Sequence, residues 1–223
     1  EVLRILTQCA FKNLLHPFQS FIIGQKIFPI KIALKKKIPL IFYGENEAEY
    51  GNKKEIINTS SRSKDFFAEE NEDNIYLSGL SLSELKELSL TKNDFAPYLP
   101  ITPEKLIEKD IEVYYLGYFK KWHPQSAYYY SVENGDFQCS PERTIGTYQT
   151  YTSIDDKMDD FNFHTTYIKF GIGRATYDAS QEIRSGDITR EEGVSLVNKY
   201  DGEFPDRWSS QIYDYLSIDK NEF

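Results

Sequence analysis

PLIFYGENEAEYG, residues 39–51, joins a short apolar run to an acidic loop. Its apolar run, Leu40-Ile41-Phe42-Tyr43, stops at Gly44, and Glu45, Asn46, Glu47 and Glu49 follow at once. An apolar run of that length bounded by a turn signal predicts a strand buried on both faces, as in a parallel sheet. Ligands of open α/β sheets lie just beyond the carboxyl ends of the strands. Position therefore marks Glu45 and Asn46 as candidate site residues. Glu47 and Glu49 read more simply as acids suiting a helix N-terminus.

Working outward, residues 3–15 and 22–37 carry helical spacing. Pro29 is expected as a start or kink of the second helix, and His16-Pro17 separates the two. Helix, short link and buried strand make half of a βαβ unit. Residues 51–74 are polar, with a Ser-rich core. They read as a surface insertion more readily than as a lid. Ser81-Leu82-Ser83-Glu84 forms a capping box, and Thr102-Pro103-Glu104 starts another helix. Residues 111–119 predict a second strand, and Pro124 opens a helix closing near Gly135.

The remainder reads as mainly helical. Residues 139–156 are irregular and polar and hold Arg143, Asp155 and Asp156, in the kind of backbone where sites concentrate. Ile168, Ile172, Ala175, Ala179 and Ile183 repeat at helical spacing and predict one continuous helix over 161–184. That helix would run through Gly171-Ile172-Gly173, which otherwise resembles a shortened phosphate loop. Lys169 is placed to meet an anion near those glycines. In an unbroken helix, Arg174 would point elsewhere. A second capping box, Thr189-Arg190-Glu191-Glu192, opens a further helix, a short one follows Pro205, and residues 217–219 read as the start of another.

Composition narrows the function classes. The 223 residues carry a net charge of −9, which argues against a nucleic-acid partner. No apolar run approaches membrane-spanning length. The two cysteines, Cys9 and Cys139, form no CxxC, which fits a reducing, cytoplasmic compartment. His16, His123 and His164 show no metal-ligand spacing, so no metal site built by the chain is expected. Both ends of the sequence read as cut within a pattern.

Taken together, four segments resemble the bacterial N-acetyl sugar amidotransferases of surface-polysaccharide biosynthesis, both lipopolysaccharide O-antigen and pseudaminic or legionaminic acid. These are LIFYGENEAEYGN (40–52), YYLGYFKKWHPQSAYYYSVENGDF (114–137), PERTIGTYQTYTSIDDKMDDF (141–161) and TTYIKFGIGRATYDASQEIRSGDITREEGVSLVNKYDGEFP (165–205). The resemblance covers most of the chain outside 51–93. It implies an α/β fold of the Rossmann-like, ATP-pyrophosphatase type. Residues 1–119 would be the C-terminal part of the nucleotide-binding domain, with the insertion near 51–74, and residues 120–223 a mainly helical substrate-binding region. It implies ATP and Mg²⁺ as cofactors, a nucleotide-linked or acidic N-acetyl sugar as substrate, and ammonia from a partner glutaminase. Gly44, Glu45 and Asn46 would face the nucleotide. Arg143, Asp155, Asp156, Lys169 and Arg174 would face the substrate. The family's S-G-G-x-D-S loop and cysteine cluster are not in this sequence. It is therefore read as a fragment or as a remnant that binds nucleotide sugar or a glutaminase without turnover. Another ATP-dependent amide-modifying enzyme of the same fold is the further alternative.

Overall fold

The computed structural model describes residues 1–44, 59–88, 90–107, 111–219 and 221. They are mixed α/β and fall into two compact units, Glu1–Lys121 and Trp122–Phe223.

In the first unit, helices α1 (Val2–Leu14) and α2 (Gln19–Lys36) lead into strand β1 (Leu40–Tyr43). Each helix ends on a left-handed residue, Leu15 and Lys37. Helix α2 starts three residues earlier than its sequence spacing suggests and carries Pro29 inside it. A short hairpin, β2 (Tyr76–Leu77) with β3 (Leu80–Ser81), packs on α1. Its turn needs Gly79, at φ +76°, where a Cβ would lie 2.8 Å from that of Asn13. Helices α3 (Leu82–Glu87), α4 (Lys92–Phe95) and α5 (Pro103–Ile107) follow, α3 with the expected capping box at Ser81 and Glu84. Strand β4 (Glu112–Tyr115) then pairs in parallel with β1, Leu40 opposite Glu112 and Tyr43 opposite Tyr115. The expected strand over 111–119 stops at Tyr115, because residues 116–119 coil into the one-turn helix α6 (Leu116–Phe119).

A parallel pair is thus present, but the expectation of burial on both faces needs correction. Ile41, Tyr43, Val113 and Tyr115 point to one side, against Ile27, Ile30 and Ala33 of α2. Leu40 and Phe42 point to the other and are 43% and 52% exposed. Among the described residues the sheet has two strands; α2 covers one face, and Phe119 of α6 meets Phe42 and Tyr114 on the other. Glu45 and Asn46, and residues 51–58 of the insertion, lie outside the described residues. Gly44 is described and exposed, and a Cβ there would meet nothing within 4 Å.

The second unit is helical among its described residues: α7 (Pro124–Gly135), α8 (Asp159–Phe170), α9 (Arg174–Ser185), α10 (Arg190–Tyr200) and α11 (Ser209–Leu216). His123 caps α7, its Nδ1 accepting from the Ser126 N–H at 3.1 Å, and its Nε2 faces Asp187 at 3.2 Å. The capping box at Thr189 and Glu192 forms as expected.

The continuous helix over 161–184 does not form. Gly171 closes α8 at φ +68°, a conformation that costs most side chains about 1 kcal/mol or more, and Gly173 is the extended N-cap of α9. Asp201 stabilises the break, accepting from the Gly173 N–H at 3.1 Å, the Thr176 N–H at 3.2 Å and the Thr176 hydroxyl. Of the residues that carried the repeat, Ala175 and Ala179 are buried, whereas Ile168 and Ile172 are largely exposed. Lys169 and Arg174 therefore belong to different helices. The helix expected from 217 is also absent over 217–219. Ser217, at φ +53°, ends α11 instead.

Candidate functional site

Three parts of the second unit enclose a cleft of about 630 Å³. One wall is residues 138–144, a second is 153–157, and Arg207 with Trp208 form the third. Asp160, in the first turn of α8, also lines it.

The walls are held by a network of buried acids. Thr147 Oγ1 donates to Asp178 at 2.5 Å, Tyr148 OH to Glu182 at 2.7 Å, and Gln149 Nε2 to Glu182 at 2.8 Å. These bonds fasten residues 147–149 to α9, where Asp178 is 2% and Glu182 5% exposed. Thr144 Oγ1 donates to the Thr152 carbonyl at 2.7 Å and ties one wall to the strip beside it. Burial and the Glu182 carboxylate together push the Tyr148 phenol well above its ordinary value, so it stays a donor.

Two arginines proposed from sequence to face substrate are committed to this framework. Arg143 makes a bidentate pair with Glu203, both contacts at 2.6 Å, and its guanidinium lies 4.8 Å from the Tyr200 ring centre. Burial works to raise the Glu203 carboxyl, but Arg143 and the Gly146 N–H outweigh it and hold the group below its ordinary value. Arg174 donates to Asp178 at 2.9 Å and to Ser153 Oγ at 3.0 Å, and packs over Phe163. Ser153 lines the cleft, so Arg174 touches the site through it. Lys169 is exposed near the end of α8, its ammonium 5.1 Å from the Phe170 ring centre, and is not among the residues lining the cleft.

Asp155 and Asp156 do line the cleft, and both are exposed. Asp156 Oδ1 also accepts from the Met158 N–H at 2.8 Å, which fixes the entry to α8. Sequence reading missed Asp160, Arg207 and Trp208. Asp160 is 6% exposed, and among the described residues no group donates a hydrogen bond to its carboxylate. Burial pushes its pKa up to about 6, against the pull of Arg207. Asp159 beside it is pushed up to about 6 by burial and by Asp155. Arg207 is ion-paired to Glu142, and the Lys157 ammonium lies 4.4 Å from the Trp208 ring centre while donating to Gln211. The cleft thus holds four carboxylates, Glu142, Asp155, Asp156 and Asp160, against two cations, Lys157 and Arg207. It accepts hydrogen bonds and favours neutral or positive ligands over anions.

A helical unit with an acceptor-rich cleft fits recognition of a polyhydroxylated ligand. Residues 145–223 match the family model described as "LPS biosynthesis protein WbpG-like, C-terminal domain". The match takes in Asp155, Asp156, Asp160, Lys169, Arg174, Arg207 and Trp208. It supports a place in lipopolysaccharide (LPS) biosynthesis. No curated protein matches the chain. No helix among the described residues is long and apolar enough to cross a membrane.

Proposed function

We propose that the chain belongs to an ATP-dependent amidotransferase of LPS or related surface-glycan biosynthesis. It would convert the N-acetyl group of a sugar to an acetamidino group, with the C-terminal unit holding the sugar. The observation carrying this reading is the match of residues 145–223 to the WbpG-like C-terminal domain, which overlies most of the cleft. The parallel pair of β1 and β4 is compatible with a Rossmann-like nucleotide domain, in which Gly44, Glu45 and Asn46 would meet the nucleotide.

The chemistry balances in two steps. The amide oxygen attacks the α-phosphorus of ATP, and the bond to pyrophosphate breaks. Ammonia then adds to the activated carbon, AMP leaves with the former amide oxygen, and loss of protons gives the amidine. An amide oxygen is a poor leaving group, and adenylation makes it a good one. Mg²⁺ would arrive on the ATP phosphates, since that ion usually keeps waters and few protein carboxylates. Among the described residues, no group of three or more His, Cys, Asp or Glu side chains could hold a metal ion. The excess of acid in the cleft does not fit a triphosphate, so the nucleotide is assigned to the first unit. Asp155 and Asp156 would accept from sugar hydroxyls. Arg143 and Arg174 would act as positioning residues for the cleft wall. Ammonia would come from a partner glutaminase.

The test supplies the encoded protein with ATP, ammonium and a nucleotide-linked N-acetyl sugar. Mass spectrometry should show oxygen replaced by NH, with release of AMP. Formation of ADP would rule out adenylation.

A further inference from the structure

We propose that Asp160 is the buried anchor of the cleft. Its carboxylate would take a hydrogen bond or ion pair from the nitrogen substituent of an acetamido or amino hexose, while any phosphate on that sugar stays outside. This rests on the sugar-binding reading of the cleft and adds which group of the sugar enters first.

Three observations converge. A carboxylate 6% exposed, without a hydrogen-bond donor among the described residues, lines an open cavity. Its oxygens are not fully enclosed atoms, so they open onto the cleft with accepting capacity that solvent or a ligand can take up. A ligand N–H would use that capacity. The cation nearest in effect, Arg207, is shared with Glu142. The groups around Asp160 are Arg207 from the 206–208 turn, Lys157, Asp155 and Asp156 from the strip before α8, Glu142 from the opposite wall and Asp159 on its own helix. Their balance is negative, which repels a diphosphate and attracts an amine. Trp208 supplies an apolar surface beside these acceptors, the mixture typical of small-molecule pockets.

The experiment is isothermal titration calorimetry on the whole chain. The probes are the methyl glycosides of 2-acetamido-2-deoxyglucose and 2-acetamido-2-deoxygalactose, their 2-amino counterparts, and inorganic pyrophosphate. At least one sugar should bind, and pyrophosphate should not compete with it. Asp160→Asn should weaken the amino sugar about tenfold or more and the acetamido sugar less, since hydrogen bonds to charged groups are the stronger ones. Asp155→Asn alters an exposed position, cannot be blamed on misfolding, and should give a smaller loss. Equal affinity of wild type and Asp160→Asn, displacement of sugar by pyrophosphate, or binding of none of the sugars would overturn the proposal. Sugar binding lost in Asp160→Asn without any amidine formed by wild type would retain the anchor and reject only the enzymatic reading.

Discussion

At the scale of single residues, Asp160 is held against the preference of the fold. Its pKa of about 6 lies above the ordinary value of 3.8, so the folded state binds the proton more tightly than the unfolded chain. Its contribution to stability is therefore most favourable below pH ~4 and falls as pH rises through about 6, by on the order of 2–3 kcal/mol. Asp160→Asn should raise the unfolding free energy at neutral pH and flatten its slope over that window, as read by denaturant unfolding at several pH values. Part of the slope should remain, because Asp159 titrates in the same range. Asp178 accepts from Thr147 and Arg174 at once, so Asp178→Ala should cost about 3 kcal/mol by removing the carboxylate that both of them bond. Asp155 and Asp156 were legible because they lie in polar, irregular sequence. Asp160 was not, because it falls between the irregular stretch ending at 156 and the helix expected from 161. The side chains that close the cleft over it include Arg207 and Trp208, which lie far along the chain. Arg143 read as a ligand residue because its partner, Glu203, is 60 positions away.

At the scale of elements, the break between α8 and α9 decides which side chains can meet. The apolar spacing across Gly171 and Gly173 was real as a pattern, but two of its five residues, Ile168 and Ile172, face outward. Two glycines and a capping aspartate from residue 201 prevail over it. Gly171→Ala should lower stability by about 1 kcal/mol through its left-handed backbone. Gly173→Ala should cost more, because its Cβ would stand 2.6 Å from Asp201 Oδ1 and dislodge the cap. Thermal unfolding of the two variants checks the order. In the first unit, the apolar run of β1 and the β-branched, aromatic run of β4 were legible as strand signals, but burial on both faces was expected and one face is largely open. Val113→Ala should cost about 2 kcal/mol, whereas Phe42→Thr on the open face should change stability by about 0.5 kcal/mol or less. Capping boxes at Ser81 and Thr189 were readable because they depend on residues three apart.

At the scale of the molecule, the α/β beginning and the helical C-terminal part followed from local periodicity, and both are present in their own units. The cleft was not legible as a whole, because its three walls come from separated stretches that only tertiary folding assembles. The cleft is rich in hydrogen-bond acceptors, the C-terminal match is to an LPS-biosynthesis domain, and the proposal that this unit holds the sugar rests on those two findings. The most direct measurement follows the acetyl oxygen of that sugar. An N-acetyl sugar carrying heavy oxygen in its amide is given to the encoded protein with ATP and ammonium, and the products are analysed by mass spectrometry. The expected products are an acetamidino sugar free of the label and AMP that has gained it. Label retained in the sugar, or found in pyrophosphate or inorganic phosphate, would contradict it.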